Sequence, residues 1–207
     1  NFAAPRGETS PPRPAEILFE ESNKPSNIVN AEANEPGPFI ESDRKMKNRL
    51  LPVEGDDDHQ ERTKVVVRVP ATSANLGPGF DAIGIAIDMW SEFTVERSEK
   101  FEIECEGEGS DDMPLDETNL VCFGVAAAFK HAGKPLPVLK YHLNTRIPFA
   151  RGLGSSSAAI VGGLVAGLVL AGHQLKTLGA AELLNLAADI EGHPDNAAPA
   201  LYGGIQL

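Results

Sequence analysis

The sequence predicts an α+β domain preceded by a disordered tail, and three observations carry that reading. Residues 64–105 hold a β-branched run and two alternating stretches, the pattern of half-buried antiparallel strands. Residues 158–172 are uncharged with interleaved glycines, which suits a helix packed closely inside a core. Residues 1–62 are rich in Pro, Glu, Asp, Ser and Asn and follow neither period. A chain of 207 residues with 42% hydrophobic content is long enough for one sizeable core.

The predicted elements follow in order. The tail, residues 1–62, closes on the acidic run Glu54-Gly-Asp-Asp-Asp58 and reads as a linker. It carries thirteen acidic against eight basic residues, whereas transit peptides are poor in acids. That composition leaves targeting open; the cytoplasm is the expected compartment, with a plastid as the alternative if the tail is the remnant of a targeting segment. The ordered domain, residues 63–207, opens with Val65-Val-Val-Arg-Val69, a strand expected to stop at Pro70. In Ala71 to Asp81, Gly77-Pro78-Gly79 enforces a tight turn with the Asn75 amide and the Asp81 carboxylate on either side. Those two are either ligand groups or ordinary turn and cap residues. The apolar Ile83–Asp88 and the alternating Glu92–Arg97 and Phe101–Cys105 read as further antiparallel strands. Thr118 is expected to cap a helix from Asn119 to His131, ended by Gly133. Residues 138–147 alternate again, with Leu139, Tyr141, Leu143 and Thr145 on one face. A last helix, Ala180 to Ile190, runs into the polar turn Glu191-Gly-His-Pro-Asp-Asn196.

Between the strand at 138–147 and the small-residue helix lies Arg151-Gly-Leu-Gly-Ser-Ser-Ser-Ala158. Glycines let the backbone turn its N–H groups toward an anion, and the start of the next helix adds unpaired donors and partial positive charge. The stretch reads as a phosphate cradle, or else as a flexible joint followed by serine caps. It is not a Walker loop, and it fails G-x-G-x-x-G because Ser157 stands at the third glycine. Nor is it a G-x-S-x-G elbow, since neither Ser155 nor Ser156 has glycines two places away on both sides.

Composition removes several function classes. A net charge of −12 without clustered Lys or Arg argues against nucleic-acid and anionic-membrane partners. The apolar run at 158–172 is shorter than the roughly 20 residues that a membrane helix needs. Cys105 and Cys122 form no C-x-x-C, and His193 has no second histidine or cysteine at metal spacing, so zinc is a poor fit. The carboxylates of the 191–196 turn suit a hard cation carried with a nucleotide, or simply end a helix.

Three stretches, taken together, resemble the GHMP superfamily of small-molecule kinases. Val69–Asp81 is similar to its first motif, Ile147–Ala158 to its phosphate loop, and Glu191–Asn196 with Ala198-Pro199 and Gly203-Gly204 to its substrate and metal segment. The resemblance runs from about Lys64 to Leu207, and the branch that matches best phosphorylates L-homoserine; the alternatives are another kinase of the superfamily acting on a different small alcohol, or an inactive fragment. It implies a ribosomal protein S5 domain 2-like fold with a left-handed βαβ unit, forming the N-terminal, ATP-binding domain of an enzyme whose C-terminal domain is absent from this chain. It implies ATP and Mg²⁺ as cofactors, L-homoserine as substrate, and a homodimer as the assembly to expect. By the same resemblance Arg151, Gly152, Leu153, Gly154, Ser155, Ser156 and Ser157 hold the phosphates and Asn119 meets adenine. Glu191 and Ser156 bind the metal, and Asn75, Asp81, His193, Asp195 and Asn196 surround the substrate. Some relatives have an aspartate general base near the position of Asn196. An amide cannot accept a proton, so Asn196 is expected to position the substrate while the proton passes to phosphate or water.

Overall fold

Val65, Val67, Val69 and Ala71 belong to the core while Val66, covered but outside it, and Arg68 do not, which is the alternation of a strand with one face on a core. The protein is described by a computed structural model covering residues 15–18, 62–173 and 180–207. In it the strand β2, Lys64–Leu76, does not stop at Pro70 but forms a long hairpin with β3, Gly79–Arg97. The expectation of a break there is corrected by the register. Pro70 faces Trp90 while Ala71 faces Ile87, so the ladder shifts where the proline lacks a donor. Gly77 and Pro78 close the hairpin, with Leu76 opposite Gly79.

The sheet order is β1-β2-β3-β5-β4, where β1 is Glu16–Leu18, β4 is Glu102–Gly107 and β5 is Leu139–Thr145. A short β6, Ile205–Gln206, pairs with β3 beside Gly84 and Ile85. Two differences from the sequence reading stand out. β4 runs parallel to β5 rather than antiparallel, because the link between them passes through a helix, and such a crossover returns the chain in the same direction. Part of the expected tail also belongs to the sheet, since β1 pairs antiparallel with β2 and Ala15 is buried in the core. The rest of that tail, residues 1–14 and 19–61, lies outside the described residues.

The helix α1, Leu120–His131, begins one residue later than expected. Its cap is Asn119, whose Oδ1 accepts from Val121 N at 3.0 Å, and not Thr118. Thr118 donates its hydroxyl and its N–H to the Asp116 carboxylate, and those bonds hold that carboxyl below its ordinary value. The uncharged run forms α2, Ser155–Leu170, with Ile160, Val161, Leu164, Ala166 and Leu168 among its buried residues. It lies against the core face of β2 and β3 and against α1. Two shorter helices, α3 (Ala180–Glu191) and α4 (Ala197–Tyr202), complete the helical layer. The opposite sheet face is polar, as where Lys140 meets Glu104 at 2.8 Å. None of the described helices is long and apolar enough to cross a membrane.

Candidate active site

β5 delivers the chain to residues 146–154, which must turn into α2 with almost no room. Gly154 caps that helix at φ 63° and ψ 33°, and a Cβ there would lie 2.0 Å from Thr72 Oγ1. Positive φ and close approach together make glycine the residue for this place. Gly152 also has a positive φ, 69°. The first bond inside the helix runs from Ala158 N to Gly154 O at 2.9 Å, so the N–H groups of Ser155, Ser156 and Ser157 have no partner within it. No side chain caps this end. An uncapped helix start with a glycine-rich entry is what an anion such as phosphate requires. Arg151 is exposed beside it.

The last residue of α3 forms the second wall. The hydroxyls of Ser156, at 3.0 Å, and of Ser157 both donate to Glu191 Oε1. Ser157 is fully buried. Glu191 Oε2 is buried and has no hydrogen-bond partner. An unpartnered buried carboxylate oxygen costs roughly 1–3 kcal/mol or more, a deficit that a cation would remove. These residues therefore fit Mg²⁺: a carboxylate and a neighbouring hydroxyl facing a helix start that would hold phosphate.

The turn before α4 forms the third wall. Asn196 Oδ1 accepts from Thr72 Oγ1 at 2.9 Å, and Thr72 N donates to Leu153 O at 3.1 Å. One buried threonine thus ties the turn to the cradle. Asp195 Oδ1 accepts from Asn196 N at 2.9 Å, and a Cβ on Gly84 of β3 would lie 2.1 Å from Asp195 O. The hairpin arm and this turn are in direct contact. His193 stands exposed in the same turn.

The remaining expected residues sit farther out. Asn75 (φ 59°) and Asp81 (φ 57°) occupy the exposed hairpin tip in left-handed conformations, joined by a 3.1 Å bond from Asp81 N to Asn75 Oδ1. Asp81 is three residues along β3 from Gly84, roughly 10 Å from the Asp195 contact. Asn119 is 4% exposed, and besides capping α1 it donates from Nδ2 to Pro114 O at 2.9 Å. Its amide is engaged by the protein at both ends, which weighs against a side-chain contact with adenine.

Two site residues escaped the sequence reading, Thr72 and Gly84. The signal for Thr72 was a hydroxyl inside a buried strand segment. Nothing local distinguished Gly84, whose partner lies more than a hundred residues away.

A sheet backed by helices, with a glycine-serine loop opening α2, defines the N-terminal fold of small-molecule kinases. Residues 119–204 match the family described as the GHMP kinases N terminal domain, and this part of the chain is such a domain. Over 142 residues it is 51% identical to a homoserine kinase of Carboxydothermus hydrogenoformans, covering 68% of this chain and 46% of that protein. The crystal structure of homoserine kinase from Cytophaga hutchinsonii superposes with a TM-score of 0.59 at 30% identity, covering 73% of this chain and 49% of the other. The Streptococcus pneumoniae phosphomevalonate kinase shares the fold, with a TM-score of 0.54 at 15% identity, over 70% of this chain and 47% of the other. The chain spans about half the length of the curated relatives it matches.

Proposed function

We propose that this chain is the nucleotide-binding part of a homoserine kinase, which transfers the γ-phosphoryl group of ATP to the hydroxyl of L-homoserine and yields O-phospho-L-homoserine for threonine synthesis. The observation that carries the reading is the uncapped start of α2 set against the unpartnered Oε2 of Glu191. Identity of 44–51% to proteins named homoserine kinase supports the choice of substrate.

In this reading Gly152, Leu153, Gly154 and Ser155 to Ser157, with Arg151 at the rim, hold the phosphates. Glu191 and Ser156 hold Mg²⁺, which when bound neutralises charge on the transferring phosphoryl group. Asp195, Asn196, His193, Asn75 and Asp81 surround the amino-acid alcohol, a carboxylate being suited to its ammonium. Asn196 orients the hydroxyl without taking its proton. Asn119 contributes by setting the first turn of α1 near the base. The same proposal keeps residues 1–62 largely outside the catalytic domain. It keeps the enzyme in a reducing compartment, with which its two free cysteines agree.

The test is an ATP-consumption assay on the full-length gene product that contains this chain, against a panel of small alcohols. Turnover with L-homoserine is expected. Phosphorylation of another alcohol with none of L-homoserine would overturn the assignment.

A further inference from the structure

Thr72 has no role in the reaction as described so far, yet it touches two walls of the site. We propose that Thr72 is a positioning residue, whose hydroxyl decides which end of the Asn196 amide faces the reacting centre. The proposal rests on the homoserine kinase reading for its kinetic consequence but not for its structural one.

The geometry is tight. Thr72 is fully buried on β2, its N–H holds Leu153 O of the cradle at 3.1 Å, and its hydroxyl meets Asn196 Oδ1 at 2.9 Å. Gly154 leaves that hydroxyl just enough space. The sense of the amide follows from what each neighbour can do. Asp195 Oδ1 lies 3.5 Å from Asn196 Nδ2, and an ionised carboxylate only accepts, so the nitrogen takes that side. A hydroxyl can donate, so the proton of Thr72 goes to Oδ1. With Oδ1 turned toward Thr72 and one N–H toward Asp195, the amide has its second N–H left to offer, and it acts toward an oxygen of the substrate or phosphate as a donor. Without the Thr72 hydroxyl, Oδ1 would lose its buried donor and only the long 3.5 Å contact to Asp195 would hold the sense of the amide.

Thr72→Val keeps the volume and removes the hydroxyl, while Thr72→Ser keeps the hydroxyl. Both are compared with wild type in the full-length gene product, after thermal unfolding has shown them folded, with Thr72→Ala replacing Thr72→Val if the latter does not fold. The first readout is the Asn196 side-chain amide signal in protein labelled with ¹⁵N-asparagine, assigned by its loss in Asn196→Ala. It is expected to be sharp in wild type and Thr72→Ser, and shifted or doubled in the hydroxyl-free variant. The second is kinetic: kcat with L-homoserine falls roughly tenfold to a hundredfold in the hydroxyl-free variant, and Thr72→Ser recovers most of it. KM for Mg-ATP stays within about twofold of wild type, because the cradle itself is intact. Combined with Asn196→Ala, loss of the hydroxyl adds no further defect, as for two residues acting through one contact. An unchanged amide signal, wild-type kcat, or additive losses would overturn the proposal. A wild type that ignores homoserine while its Asn196 signal responds to Thr72 would instead sink the substrate assignment and leave the positioning role standing.

Discussion

Glu191 combines two demands that a single residue rarely meets. Its Oε1 collects two serine hydroxyls from the positive end of α2, which stabilises the charge, whereas its buried Oε2 has nothing. A side chain kept for folding alone would not leave that oxygen empty. Glu191→Gln removes the charge at nearly constant shape, so the ligand-free protein is expected to keep its stability or gain up to about 1 kcal/mol. Affinity for Mg-ATP in the full-length protein is expected to fall at least about tenfold. Calorimetric titration with and without Mg²⁺ measures this, and an unchanged Mg²⁺ dependence would remove Glu191 from the metal site. Ser156, Ser157 and Glu191 were each nameable from sequence. Their meeting was not, because the bonds join residues 34 and 35 positions apart.

At the level of elements, α2 decides how the helical layer sits on the sheet. A Cβ on Gly163 would lie 2.1 Å from Val121 O, and one on Gly162 would lie 2.3 Å from the Phe93 ring. A ring can shift a little; a backbone carbonyl inside α1 cannot do so without moving the helix. Alanine is the better helix former by about 1 kcal/mol, yet overpacking of this kind costs about 1–3 kcal/mol or more. Gly163→Ala is therefore expected to destabilise the protein by at least about 1 kcal/mol in urea unfolding. A gain in stability would mean that α1 and α2 are not in contact as described. The small-residue pattern predicted a closely packed helix, and the packing agrees. The pattern did not say which neighbour needed the space, just as Pro70 did not reveal that its strand continues.

For the molecule as a whole, the core contains ionisable groups that must stay neutral. Burial pushes the Cys122 thiol from its ordinary 9.0 up to about 12 and the Tyr202 phenol from 10.0 up to about 12; Tyr141 is raised for the same reason. In the unfolded chain these groups lose their protons at the ordinary values. The unfolded state therefore binds fewer protons than the folded one between about pH 9 and 12, and stability falls as the pH rises through that window. Urea midpoints should be lower near pH 10.5 than near pH 8. Equal midpoints would mean that these groups are solvated in the folded protein. By the same logic Cys122, with almost no thiolate at pH 8, should react with thiol reagents only after unfolding.

Sequence alone determined the elements whose signal is local. The alternation of β5, the buried helix at 158–172, the glycine-rich turn that enters it and the polar turn at 191–196 all depend on neighbours within one or two helical turns or strand repeats. Tertiary structure decided what depends on the path between elements: the parallel pairing of β4, the inward turn of Asn119 and the entry of β1 into the sheet. It also set the glycine-serine stretch, a joint or a cradle by sequence, against side chains from other elements. Thr72, Glu191 and Asn196 reach that stretch from a strand, a helix end and a turn, and such contacts are set by how the layers pack rather than by spacing along the chain.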